Sequence, residues 1–139
     1  MRDILVVREV AYPREMVWAA LTEGGQLAAW LMPNDFQPKV GHRFTFTTKP
    51  APGFDGVVRC EVLELRPPER VAFSWKGGPL DTVVSFDLAE TAAGTRITLC
   101  HAGFAGLSNL IPRVVLGFGW KSLLGRKLVH HLGARDHGA

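Results

Sequence analysis

A chain of 139 residues is the size of one ordinary domain and is long enough to bury a substantial core. Its composition, 47% hydrophobic and 21% charged, excludes a disordered polymer, and no apolar run approaches the ~20 residues of a membrane span. The net charge of +3 is unevenly spread: residues 1–110 carry 11 Lys/Arg against 12 Asp/Glu, whereas residues 111–139 carry 5 against 1.

That basic end fits either a solvated outer helix face, with cations where the helix dipole favours them, or a patch for an acidic partner or membrane surface. The cations are too thinly spread for a nucleic-acid footprint, so no nucleic-acid partner is expected. The start of the chain, Met1-Arg-Asp-Ile-Leu-Val-Val-Arg8, lacks the apolar length and cleavage site of a signal peptide, which makes the cytoplasm the expected location. Cys60 and Cys100 are too few for a disulfide framework and are expected as reduced, packed thiols. No Cys/His spacing matches a zinc site, so neither a metal nor a cofactor is expected.

In chain order, residues 3–11 are rich in β-branched side chains and predict a first strand. Pro13 suits the first turn of a helix whose apolar face is Val17, Ala20 and Leu21. Gly24 and Gly25 break it, and a second short helix carries Leu27, Trp30 and Leu31 before Pro33 stops it. From there the period is two: His42, Phe44 and Phe46 share a face, while Arg43, Thr45 and Thr47 take the other. Pro and Gly mark 49–56 as a loop. Strands are predicted at about 57–66, 71–76, 82–89 and 95–101, with inward positions Phe73 and Trp75, Val84 and Phe86, then Ile97, Leu99 and His101. Residues 102–111 read as irregular. Leu116, Trp120, Leu124, Leu128 and Leu132 then recur every fourth residue and lay an apolar stripe along a terminal helix. Gly117, Gly119 and Gly125 are unusual inside it. The order is α+β, a single domain over 1–139: a run of antiparallel strands with two short helices after the first strand and a long helix at the end.

Four stretches carry a family resemblance. Pro13-Arg-Glu-Met-Val-Trp18 with Leu21 and Trp30 forms one, and Glu64-Leu-Arg-Pro-Pro-Glu-Arg-Val-Ala-Phe-Ser-Trp75 a second. Thr95-Arg-Ile-Thr-Leu-Cys-His-Ala-Gly-Phe104 and Gly119-Trp120 with the leucines beyond complete the set. Together the chain resembles the START-like helix-grip (SRPBCC) superfamily over roughly 3–132, and within it the branch of activators of the heat shock protein 90 ATPase. The resemblance implies a seven-stranded antiparallel sheet curved around the terminal helix, often with an apolar cavity between them. It also implies three readings of function. The first is binding of a small apolar or amphipathic molecule. The second is a cyclase or aromatase-like enzyme. The third is an interaction module for a chaperone, ranked last because the activators that named the branch carry a separate N-terminal chaperone-binding domain, whereas this chain begins at its first strand.

The residues expected on the concave side are Trp30, Phe44, Phe46, Phe73, Trp75, Phe86, Leu99, His101, Phe104, Trp120 and Leu124. An apolar, mostly aromatic set with one or two polar groups suits a small-molecule pocket, and equally suits a solid core. His101 is the one titratable member, and an unperturbed pKa of ~6.5 would suit proton transfer. The carboxylates within long reach are Asp35, Asp55 and Asp81, all in turns or loops. Without one of them, His101 is a histidine satisfied by hydrogen bonds at a strand end. Lys121 is expected to extend outward. Tyr12 is the sole tyrosine, at a strand–helix junction.

Overall fold

In a computed structural model, which describes residues 1–137, six strands form one antiparallel sheet in the order β1-β6-β5-β4-β3-β2. Strand β1 (Ile4–Val10) leads into helices α1 (Arg14–Thr22) and α2 (Gly24–Trp30). The meander follows: β2 (Arg43–Thr47), β3 (Val57–Arg66), β4 (Arg70–Gly77), β5 (Leu80–Thr91) and β6 (Gly94–Ala102). A 3-10 turn (Leu107–Asn109) opens the terminal helix, which runs on as α3 (Leu110–Ser122), a π-helical turn (Leu123–Lys127) and α4 (Leu128–His137). This is the α+β helix-grip architecture.

The sheet is open, with β1 and β2 at its edges, and β1 pairs with β6 from Ile4 opposite His101 to Val10 opposite Thr95. Where the resemblance implies a seventh strand there is a single bridge, Asn34 to Phe46, on the free edge of β2. Pro33 and Pro38 bracket that segment, and a proline cannot donate to a ladder, so the pairing does not propagate. A register shift between Val62 and Glu64 marks a bulge in β3, the usual device for bending a sheet.

Strand alternation places the large side chains where the period predicts. Val58, Cys60 and Val62 of β3, Val71, Phe73 and Trp75 of β4, Val84, Phe86 and Leu88 of β5, and Ile97, Leu99 and His101 of β6 are all buried on the concave face. The opposite face carries charge ladders. Arg70 is held between Glu64 (3.0 Å) and Asp87 (2.6 Å), and the hydrogen bond from Arg70, with a second from Arg66, pulls the Glu64 carboxyl below its usual range.

The terminal helix fills the concave face. Steps of four residues advance about 40° on an α-helix of 3.6 residues per turn, so a strict every-fourth stripe winds away from the sheet. The π-helical turn, with its wider i→i+5 closure, takes back part of that rotation. Trp120, Leu124, Leu128 and Leu132 consequently all remain buried. The helix begins at Leu110, after a 3-10 turn at Leu107–Asn109, inside the stretch 102–111 that read as irregular. Asn109 fixes this start: its side-chain oxygen accepts from the Ala105 N–H (3.0 Å) and its amide donates to the Pro79 carbonyl (3.1 Å) in the β4–β5 turn.

Candidate functional site

All eleven residues expected on the concave side are buried. They pack on one another. Phe44 meets Phe46 edge-on at 5.4 Å between ring centroids, Phe46 meets Trp75 at 5.7 Å, Trp75 meets Trp120 at 5.6 Å, and Trp120 meets Phe86 at 6.0 Å. Trp30 is tied from the helix side, its indole N–H donating to the Ala20 carbonyl at 2.8 Å. The space under the middle of the terminal helix is therefore solid, and an open pocket there is not what these side chains make.

His101 lies at the centre of this packing with no exposed surface. The Trp120 indole N–H can only donate, and it points to His101 Nδ1 at 3.0 Å. Nδ1 therefore carries no proton, and Nε2 does. Nε2–H donates to Thr82 Oγ1 at 2.7 Å, and the Thr82 hydroxyl passes its own hydrogen to the Trp75 carbonyl at 2.9 Å. Each donor and acceptor in the chain is used once. Burial pushes the imidazole down to about 3, so the ring is neutral at ordinary pH. The three carboxylates within conceivable reach are engaged elsewhere. Asp35 accepts from the Thr45 N–H, Asp55 pairs with Arg59, and Asp81 faces Lys76. Both ring nitrogens of His101 are thus engaged in hydrogen bonds within the protein.

The open space lies at one end of the grip. A cavity of about 690 Å³ sits between the start of the terminal helix and the loop before β3. Its floor is Trp75 with Val58 and Leu80; one wall is Ala51, Pro52 and Phe54, and the other is Ile111, Pro112, Val115 and Leu116. Met32 closes the back, and the only hydroxyls are those of Thr48 and Ser108. Among the described residues, no charged side chain lines it. The loop comes close to the β4–β5 turn: a Cβ on Gly78, whose φ is +53°, would lie 2.9 Å from the Gly53 carbonyl oxygen.

Of the eleven expected residues, Trp75 is the one that borders this cavity. Phe54, Pro79, Ile111 and Val115 were not foreseen. The signals were the apolar content of the Pro50–Phe54 loop and of the run Leu107–Leu116, of which the part up to residue 111 read as irregular. Thr82 was legible by parity, since it shares a face with Val84 and Phe86. Lys121 is exposed, as expected. His42 stacks on Phe44 and contacts the Asp35 carbonyl at 3.0 Å, at the rim of the sheet. Tyr12 packs against the core, far from the cavity. Among the described residues no three His, Cys, Asp or Glu side chains converge, and no helix is long and apolar enough to cross a membrane.

Comparison with known proteins agrees with this architecture. The chain is similar to protein MLL2253 from Mesorhizobium loti, with 33% identity over 95% of this chain and 97% of that one at a TM-score of 0.85. It is similar to Bacillus halodurans protein BH1534 at 26% identity, covering 95% and 97% of the two chains, with a TM-score of 0.81. CalU16 from Micromonospora echinospora, at 23% identity over 97% of this chain and 78% of that one, shares the fold with a TM-score of 0.77. No curated protein matches the sequence significantly. The sequence profile of one family covers residues 11–133, and the chain belongs to that family, the Activator of Hsp90 ATPase homolog 1-like proteins.

Proposed function

We propose that the protein binds a small, neutral, largely apolar molecule in the cavity at the open end of the grip. The observation that carries this reading is the lining: apolar side chains over a tryptophan floor, two hydroxyls and no charge. A volume of about 690 Å³ falls within the range of small-molecule pockets. An uncharged lining disfavours a carboxylate or ammonium inside it, since a buried charge without a partner is strongly penalised. Thr48 and Ser108 supply the hydroxyls and Trp75 an indole N–H, which suits a ligand with one carbonyl or hydroxyl. The reaction chemistry of a cyclase finds no support at His101, whose nitrogens are both engaged.

Titration with a neutral, environment-sensitive dye such as Nile red tests the proposal. Enhanced, saturable emission is expected from the wild type. It should be lost in Leu116→Trp and Ala51→Trp, which fill the cavity from opposite walls, with thermal melting retained. Equal dye binding by the wild type and both filled variants would sink the proposal.

A further inference from the structure

The first half of the terminal helix turns its apolar face outward. Leu107 is 90% exposed, Ile111 75%, Phe118 70% and Val115 62%. Leu110 and Val114 are exposed between them. In an amphipathic helix of a soluble domain that face is normally polar, and a contiguous exposed apolar patch marks an interaction surface.

The charge around the patch is of one sign. No Asp or Glu occurs between Glu90 and Asp136, a stretch that holds Arg96, Arg113, Lys121, Arg126, Lys127 and Arg135. Lys121 follows Phe118 by three residues and is exposed beside it on the same face. Arg126 and Lys127 are exposed further along. Arg113, eight residues before Lys121 and so about 80° from it on the same side of the helix, reaches back to the Arg2 carbonyl at 2.6 Å. The nearest carboxylate on that side, Asp3, is turned to the Cys100 thiol.

We propose that this helix face docks on an anionic lipid surface, with its apolar side chains entering the acyl boundary and its cations at the headgroups. An outward stripe of Leu, Ile, Val and Phe bordered by Lys and Arg is the composition of an interfacial helix. Charge complementarity selects this occupant. A second copy meeting the same patch about a two-fold axis would bring a second Arg113 and Lys121 into the same interface, with no acid between residues 91 and 135 to pair them. Ile111 and Val115 belong both to this face and to the cavity wall, so docking turns the cavity mouth toward the lipid. The docking does not depend on what the cavity holds.

Sedimentation of the full chain with vesicles tests this, comparing phosphatidylcholine alone with an equimolar mixture of phosphatidylcholine and phosphatidylserine. Binding to the mixed vesicles is expected, weakening as salt rises. Phe118→Asp should weaken it by about tenfold or more, and Lys121→Glu by roughly tenfold. Neither position packs in the core or borders the cavity, so both variants should melt like the wild type and still bind Nile red. Failure of the wild type to bind mixed vesicles would overturn the proposal. So would a concentration-dependent dimer abolished by Phe118→Asp in sedimentation velocity, which would assign the face to a second copy. Loss of dye binding with vesicle binding intact would count against the cavity reading alone.

Discussion

The indole N–H of Trp120 donates to Nδ1 of His101 at 3.0 Å, and that one bond fixes the tautomer of a buried histidine at the join of sheet and helix. A protonated ring would carry a hydrogen on Nδ1 facing the indole's own. The bond therefore opposes protonation in addition to burial, which pushes the pKa to about 3.

Stability should depend on pH through this residue. The folded pKa lies below the unfolded value of about 6.5, so the unfolded chain takes up the proton first. The contribution is complete above pH ~6.5 and is lost as pH falls toward 3, at up to about 1.4 kcal/mol per pH unit. Urea midpoints between pH 7 and pH 4 should fall more steeply for the wild type than for His101→Gln. Identical pH slopes would contradict the assignment.

Thr82→Val keeps the shape of the side chain but strands the His101 Nε2–H and the Trp75 carbonyl. A loss of about 1–3 kcal/mol in unfolding free energy is expected, with Thr82→Ser much milder. A valine variant as stable as the wild type would show that Thr82 is not a required partner.

Gly117 and Gly119 have nothing within 4 Å of where a Cβ would sit. No packing demands them, so replacing either with alanine should stabilise the helix by about 1 kcal/mol. The expected readout is a thermal midpoint a few degrees higher. Gly125 differs, because a Cβ there would lie 3.3 Å from the Arg8 guanidinium, and less gain is expected from it.

Burial pushes the Cys60 thiol up to about 12, with the Asp35 charge adding to the shift. Burial also raises Cys100, helped by Asp3. Both should resist alkylation at pH 8 in the folded protein, since the thiolate is the reactive form. Mass spectrometry should find Cys100, which is half-buried, modified before Cys60. Rapid labelling of Cys60 without denaturant would contradict its placement.

The fold was legible in the sequence because period and turn residues agreed in every strand. Phe44 and Phe46, Phe73 and Trp75, or Leu99 and His101 could be assigned a face by counting alone. Their shared concave side followed from the family resemblance. What counting could not supply was whether a face of aromatics meets another side chain or empty space. That depends on ring volumes summed over three dimensions, and Trp120 turns out to fill the gap between Trp75 and Phe86. The cavity wall was missed for a related reason. Leu107, Leu110, Ile111, Val114, Val115 and Phe118 do recur at helical spacing, but they form a second stripe, apart from the one that Leu116, Trp120 and Leu124 lay against the sheet. Pro112 and the glycines before it made the segment look irregular, although a proline in the first turn of a helix is well tolerated.

The π-helical turn also bears on chain length. An i→i+5 closure holds one residue more than the α-turn it replaces, and at Gly125 that surplus is exposed and lacks a side chain. Deleting Gly125 should let Leu123–Lys127 relax to an ordinary α-turn while Trp120 and Leu128 stay where they are. Elsewhere in the closing helix a lost residue would swing the downstream leucines by about 100° out of the core.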